Sequence, residues 1–353
     1  MSIKVAVLDD YQGVAPAHFN KLDPNFVVTY IPDTLLPYNH PDTPQAVKDE
    51  IVKRLDQFEV ISTMRERTPL PGGLINRLPN LKLILSSGHR NRSIDMEAAQ
   101  KRGIPVTAAT DVSLGPVDST TEHIITMILS VARNIAQNDA AVKAGSWQTS
   151  FVTGVSGRTL GLVGLGRLGG GVARIMSLAF GMKIIAWSTN LTQEAADAVA
   201  KAHGLPMEQD DGGKTIKAVS REELFSTADV VSLHLVLSER SRGLITAADL
   251  SRMKPSSFFV NTSRGPLVVE KDLLDVLKGG KIRGAALDVF DLEPLPKDSE
   301  WRKSDWGTNG KSQLLVTPHV AYVEESSISG FYEQQVDDLV RWWTGKELKK
   351  TMY

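Results

Sequence analysis

The run TLGLVGLGRLG, residues 159–169, constrains the fold more than any other stretch of the chain. A short apolar strand pattern leads straight into Gly164-x-Gly166-x-x-Gly169, and a helix-period pattern follows. Each glycine has its own job in that context. Gly164 permits a tight turn, Gly166 lets the backbone approach a phosphate, and Gly169 lets helix and strand pack closely. The first N–H groups of the helix lack intrahelical partners and face an anion together with the positive end of the helix dipole. Arg167 and Leu168 sit inside the turn, and Arg167 can add a charge-assisted contact. The run therefore predicts a βαβ unit built around the pyrophosphate of a dinucleotide.

The next strand pattern, KIIAWS, ends at Ser188-Thr189-Asn190. An acidic residue there would bind a ribose 2′-hydroxyl and oppose a 2′-phosphate, whereas an Arg would grip the phosphate. Neither is present. Ser188, Thr189 and Asn190 can hydrogen-bond either group, so NAD and NADP both remain compatible.

At 353 residues the chain exceeds one ordinary core, which predicts two domains. A formal charge of −1 removes any general electrostatic argument for nucleic acid or anionic membrane as a partner. No apolar run approaches the ~18 residues of a membrane span. The absence of Cys excludes thiolate nucleophiles, disulfides and zinc–thiolate sites, and no metal is expected. The start, MSIKVAVLDDYQG, reads as a strand and turn rather than a signal peptide, and the expected setting is cytoplasmic.

Strand patterns at Ile3–Leu8, Val60–Met64, Leu81–Ser86 and Val106–Ala109 alternate with helical ones at Gln45–Leu55 and Asp95–Arg102, the latter followed by Gly103. Residues 117–144 read as one long helix with an apolar stripe through Ile124, Ile128 and Ile135, ended by Gly145. It is either a subunit contact running past the domain boundary or an ordinary core helix. From Thr159 the strands are TLGLVG, KIIAWS, DVVSLHL, FFVNTS, GAALDV and LLVTPH, with a capping box at Ser220–Glu223 and a last helix at Ser326–Trp343. Alternation on both sides of the long helix predicts an α/β chain of two doubly wound parallel-sheet domains, Rossmann- or flavodoxin-like.

Ionisable groups follow three of these strands. Arg264 follows FFVNTS, His319 follows LLVTP, and Glu293 follows GAALDV, 26 residues before His319. In a doubly wound sheet the carboxyl ends of the strands face the ligand crevice. A guanidinium there holds a carboxylate bidentately. An imidazole exchanges a proton near neutral pH. A carboxylate against the imidazole would orient it and favour its charged form.

In combination, GLVGLGRLG, DVVSLHL, MKPSSFFVNTSRGPLV, GAALDVFDLEPLP and LLVTPHVAY resemble the D-isomer-specific 2-hydroxyacid dehydrogenases. The resemblance is strongest between residues 117 and 323. It implies a discontinuous substrate domain, 1–112 plus 321–353, a dinucleotide-binding domain, 113–320, and an active-site cleft between them. It implies that Arg264 binds the substrate carboxylate and keto oxygen, that His319 is the general acid/base, and that Glu293 is its partner. Asp288 would bind the nicotinamide carboxamide, and His234 and Thr262 would join the cofactor contacts. The loops Met64–Arg67 and Ser87–Arg90 would meet the substrate, through Arg65, Gly88, His89 and Arg90. His89, Arg90 and Arg92 would either read a second polar group on it or form surface ion pairs.

The implied activity is reversible reduction of a 2-oxo acid to a D-2-hydroxy acid with NAD or NADP. Glyoxylate, hydroxypyruvate or a bulkier 2-oxo acid are the candidates, in a homodimer joined through the cofactor domain. Two alternatives are a dinucleotide-sensing, corepressor-like interaction protein and a formate dehydrogenase. Formate dehydrogenases place Gln where this chain has Glu293. The segment between Glu293 and His319, with Trp301 and Trp306, is longer than the family pattern and would form a lid or a surface loop.

Overall fold

Strand and helix alternate twice in the computed structural model of the chain, which describes residues 2–88, 91–110 and 115–353. Two compact units result: Met1–Pro116 with Leu292–Pro296 and Val323–Tyr353, and Val117–Asp291 with Lys297–Tyr322.

The first unit opens with β1 (Ile3–Leu8), α1 (Pro16–Phe19), β2 (Phe26–Ile31) and α2 (Gln45–Leu55). It continues with β3 (Val60–Ser62), α3 (Gly72–Ile75), β4 (Leu83–Leu85) and α4 (Met96–Lys101). The four strands are parallel, in the order β2-β1-β3-β4. β1 buries side chains on both faces, as a central parallel strand must. α2 turns Ile51 and Leu55, one helical turn apart, into the core. Asp95 caps α4 by accepting the Ala98 N–H at 2.9 Å. Val106–Ala109, expected as a strand, forms only isolated bridges: Val106 to Ile84, Ala109 to Ser87 and Thr107 to Thr351. Its bonds to the β4 segment are kept at both ends, Thr107 N–H to Ile84 O and Ala109 N–H to Ser86 O, both at 2.9 Å, without a continuous ladder between them.

The second unit begins with α5 (Ser119–Ala132) and α6 (Ile135–Lys143), which corrects the single helix expected over 117–144. The break is at Asn134, whose backbone is left-handed at φ 51°, a conformation that Asn tolerates better than most residues. Apolar periodicity runs through the break, but α6 buries none of its residues. Next come β5 (Thr159–Val163), α7 (Arg167–Phe180), β6 (Lys183–Trp187), α8 (Gln193–Ala202), β7 (Ile216–Ala218), α9 (Arg221–Thr227) and β8 (Val230–Leu233). α10 (Ala247–Leu250), β9 (Phe258–Asn261), α11 (Glu270–Lys278), β10 (Gly284–Leu287) and β11 (Gln313–Val316) complete it. All neighbours in the sheet are parallel, in the order β11-β10-β9-β8-β5-β6-β7. The order reverses between β5 and β8, the switch point where doubly wound sheets take ligands.

The 297–312 segment packs on this unit. Trp301 and Trp306 are buried and stacked, with ring centroids 6.2 Å apart. Ser312 N–H returns to Leu277 O at 2.9 Å. It is a packed surface loop.

α12 (Glu325–Trp343) rejoins the first unit. Glu324 caps it through the N–H groups of Ser326 and Ser327, both at 2.9 Å. Its fully buried Gln335 accepts from Ser62 Oγ at 2.6 Å and donates to Thr63 O at 3.1 Å. The final helix thus satisfies polar groups inside the sheet that opens the chain.

Candidate active site

Strand register assembles the site of the second unit. Val163 pairs with Trp187 and with Leu233, Leu233 with Asn261, Asn261 with Leu287, and Leu287 with Val316. One residue further on, six strands therefore end in Gly164, Ser188, His234, Thr262, Asp288 and Thr317. That level row at the carboxyl edge carries the cradle and leads into Arg264 and His319.

The cradle has the geometry its glycines demand. Gly164 has φ +100°, and a Cβ on it would sit 3.0 Å from the His234 carbonyl. A Cβ on Gly169 would lie 2.6 Å from Gly164 O, so α7 packs against the turn only because that side chain is missing. Gly166 caps α7 without a side-chain hydrogen bond, and a Cβ there would meet nothing within 4 Å. The amide edge of a 14-residue helix thus borders open space, the shape a pyrophosphate needs. Arg167, beside it, donates to Asp118 at 2.8 Å and is largely exposed.

At the ribose end Ser188 is half-buried, and Thr189 and Asn190 are exposed. The fold brings up a neighbour that a linear reading missed. Arg221, opening α9 after β7, lies with its guanidinium 5.2 Å over the Trp187 ring. Its Nε and Nη2 are both engaged by Asp249 at 2.7 Å, so this cation has a structural partner.

His234 and Thr262 stand in the middle of the row. His234 Nε2 and Thr262 Oγ1 are buried without a hydrogen-bond partner among the described residues. Orphaned polar atoms beside a glycine cradle suit a polar cofactor that would complete them. Burial pushes the His234 imidazole down to about 4, so it is neutral at neutral pH. The unfolded chain holds the extra proton between that value and the ordinary one near 6.5. Stability is therefore lost as pH falls through this window. Wild type should lose about 2 kcal/mol more than His234→Asn between pH 7 and pH 4.5, measured by urea denaturation. Parallel losses in the two proteins would show that His234 is not held neutral.

Arg264 rides on a turn closed by its neighbours. The Asn261 side chain donates to Arg264 O at 3.0 Å and accepts the Ser263 N–H at 3.1 Å, and Ser263 Oγ donates to Leu235 O at 2.8 Å. A Cβ on Gly265 would overlap the backbone of Phe290 and Asp291. The close packing pins the residue after Arg264, and Arg264 itself is half-buried.

His319 has a left-handed backbone, φ +53°, which a non-glycine residue adopts only where its surroundings impose it. Asp288 imposes it. Its carbonyl accepts the His319 N–H at 2.7 Å, and its carboxylate accepts Thr317 Oγ1 at 2.6 Å and the N–H groups of Val320 and Ala321 at 2.9 and 3.1 Å. The His319 ring stands edge-on to Tyr322, centroids 5.8 Å apart. Burial drives the Asp288 carboxyl up, but hydrogen bonds from His123, Thr317 and Val320 outweigh it and hold it below its ordinary value. Asp288 is fully buried, engaged in shaping the His319 turn.

Glu293 is half-buried and belongs to the short Leu292–Pro296 piece of the first unit. There its charge acts on Tyr11, a residue after β1 with no signal in the linear motifs. Burial foremost, then the charges of Asp9 and Glu293, push the Tyr11 hydroxyl up against the opposing effects of Thr34 and Arg67. The Arg67 guanidinium lies 4.5 Å over the Tyr11 ring. Arg65 and Gly88 are brought together: Arg65 N–H donates to Ser87 Oγ at 2.7 Å, and a Cβ on Gly88 would overlap the Arg65 guanidinium. His89 and Arg90 lie outside the described residues.

Comparison with known proteins agrees with this architecture. The family model for the NAD binding domain of D-isomer specific 2-hydroxyacid dehydrogenases matches residues 125–321. A glyoxylate reductase of Thermococcus litoralis is 30% identical over 312 residues, covering 86% of this chain and 85% of its own. A D-3-phosphoglycerate dehydrogenase of Archaeoglobus fulgidus is 32% identical over 276 residues, 78% of this chain, and this chain spans only about half of that protein, 47%. The crystal structure of a phosphoglycerate oxidoreductase from Vibrio cholerae superposes with a TM-score of 0.79 at 31% identity, covering 97% of this chain and 99% of that one. With the cradle and the strand-end row, these similarities identify the chain as a member of the D-isomer specific 2-hydroxyacid dehydrogenase family.

Proposed function

We propose that the protein reduces a small 2-oxo acid to the D-2-hydroxy acid, using a nicotinamide dinucleotide held by Gly164, Gly166, Arg167, Leu168 and Gly169. The reading is carried by one observation: a single row of strand ends joins the glycine cradle to the turns of Arg264 and His319. When bound, the reduced nicotinamide supplies a hydride for the carbonyl carbon of the substrate. Arg264 holds the substrate carboxylate through two parallel N–H donors and polarises the keto oxygen. His319 gives that oxygen its proton, with Glu293 as the partner that the family resemblance implies. Asp288 keeps the His319 turn in register. Arg65 and Gly88 shape the substrate loops.

The candidate substrates are glyoxylate, hydroxypyruvate and bulkier 2-oxo acids. Steady-state assays with these acids and both reduced cofactors test the reading. Tight dinucleotide binding without turnover of any of them would favour the sensor alternative.

The cofactor choice is open because no carboxylate at Ser188–Asn190 repels a 2′-phosphate. Measurable use of both NADH and NADPH is therefore expected. Ser188→Asp should shift the ratio of kcat/KM values at least about tenfold towards NADH, since the new carboxylate accepts the 2′-hydroxyl and repels the phosphate. An unchanged ratio would mean that another segment reads the ribose.

We also propose a homodimer joined through the second unit. Ile135 and Val142 of α6, with Trp147 and Phe151 just after it, are exposed apolar side chains in one stretch, Phe151 to 92%. Small acids are the partners, in a cytoplasmic setting, with neither nucleic acid nor membrane involved. Among the described residues no helix is long and apolar enough to cross a membrane.

A further inference from the structure

One titratable group close to the proposed chemistry has no role in it. His123 lies in the second turn of α5, far from every glycine and strand-end motif in the sequence, with its side chain 17% exposed. Its Nε2 is 3.2 Å from Thr317 Oγ1 and 3.3 Å from Asp288 Oδ1. Thr317 has one hydroxyl proton, and the 2.6 Å contact directs it at Asp288. Thr317 Oγ1 is therefore an acceptor towards His123, and Nε2 of His123 carries the proton.

We propose that His123 is a positioning residue for His319, acting through Asp288 and Thr317. This rests on the reading of His319 as the proton donor. The chain of contacts is short and lies within one unit. Asp288 has no exposed surface, so its carboxylate needs donors on every side. Three of them, Thr317 Oγ1 and the N–H groups of Val320 and Ala321, belong to the turn that carries His319. The fourth, His123, comes from a helix packed against β10 and β11. It anchors the carboxylate from outside the turn. Without it, the Asp288 carboxylate is held only by the turn it is meant to hold, and the left-handed backbone at His319 keeps only the backbone bond to Asp288 O as its reference outside the turn. Gln keeps an N–H donor close to the Nε2 position, whereas Leu keeps the bulk and removes the donor.

The experiment compares wild type, His123→Leu, His123→Gln and Asp288→Asn, alone and combined with His123→Leu. His123→Leu should lower kcat for 2-oxo acid reduction about 10- to 100-fold, because small misplacements of a reacting group are costly. His123→Gln should recover to within about threefold of wild type. The double variant should be little worse than Asp288→Asn alone, since both act along one path. In the cofactor-free protein, the imidazole nitrogen resonances of His319, assigned by NMR, should move in His123→Leu and return in His123→Gln. Unmoved His319 resonances in His123→Leu, or an activity loss that Gln does not rescue while all variants melt together, would overturn the proposal. Should wild type turn over no 2-oxo acid, the reduction reading fails on its own, and the NMR comparison still decides whether His123 positions His319.

Discussion

Arg264→Ala is expected to lower kcat/KM for the 2-oxo acid by about a thousandfold, a loss of about 4 kcal/mol, while the dissociation constant for the dinucleotide stays within about twofold. The size follows from what the guanidinium does in the proposed reaction. It makes charge-assisted contacts to a carboxylate and to an oxygen whose negative charge grows as the reaction proceeds, and removing one such donor typically costs 100- to 1000-fold. Cofactor binding should survive because Arg264 stands two residues beyond the strand-end row, and the cradle glycines draw nothing from its side chain. Arg264→Lys restores the charge without the planar fork and should recover only about tenfold. Steady-state kinetics with fluorescence titration of the dinucleotide provides the test. Near-normal turnover in Arg264→Ala would remove the residue from the site.

His319→Asn should reduce kcat by about 100- to 10,000-fold, the usual worth of a positioned proton donor. Asn is the informative replacement because His319 sits at φ +53°, where Asn is the best tolerated of the non-glycine residues. The turn, its Asp288 hydrogen bond and the protein's melting temperature should therefore be retained, leaving the lost imidazole as the cause. KM should change much less than kcat, since the proton is transferred only in the transition state. A variant within threefold of wild-type kcat would show that another group delivers the proton.

The parts of this fold readable from residues alone were those with strong local signals. IKVAVL, QAVKDEIVKRL and TLGLV form the elements their patterns announce, at Ile3–Leu8, Gln45–Leu55 and Thr159–Val163. FVVTYI, whose β-branched and aromatic residues are themselves a strong strand signal, becomes β2 at the sheet edge, whereas the three residues Ile216–Ala218 become β7, too short for a period to register. The apolar stripe over 117–144 hid the break because periodicity reports the facing of side chains, whereas the φ of 51° at Asn134 is a backbone event. The same division runs through the site. Gly164, Gly166, Gly169, Arg264 and His319 stand beside strand ends and could be found in sequence. His123, Tyr11 and Arg221 arrive from elements remote in sequence, and no spacing rule connects them to their neighbours. Asp288 was legible as a strand-end acid, but its grip on the 317–321 turn belongs to three-dimensional geometry.

The Ser62–Gln335 hydrogen bond joins residues 273 apart in sequence, with consequences for how the protein is made. Phe19 and Tyr332 meet edge-on at 6.0 Å, and Phe26 and Trp343 at 5.8 Å, so α12 supplies apolar cover to the elements that emerge first. The intervening unit is contiguous except for its last segment and finds its partners as it leaves the ribosome. At about 5–20 residues per second, the roughly 200 residues between Pro116 and α12 take some 10–40 s to synthesise. Throughout that interval the opening sheet has its strands but not its closing helix, and Ser62 has no Gln335. The nascent chain thus carries an unfinished, sticky amino-terminal third for tens of seconds, the period in which a holdase has most to do.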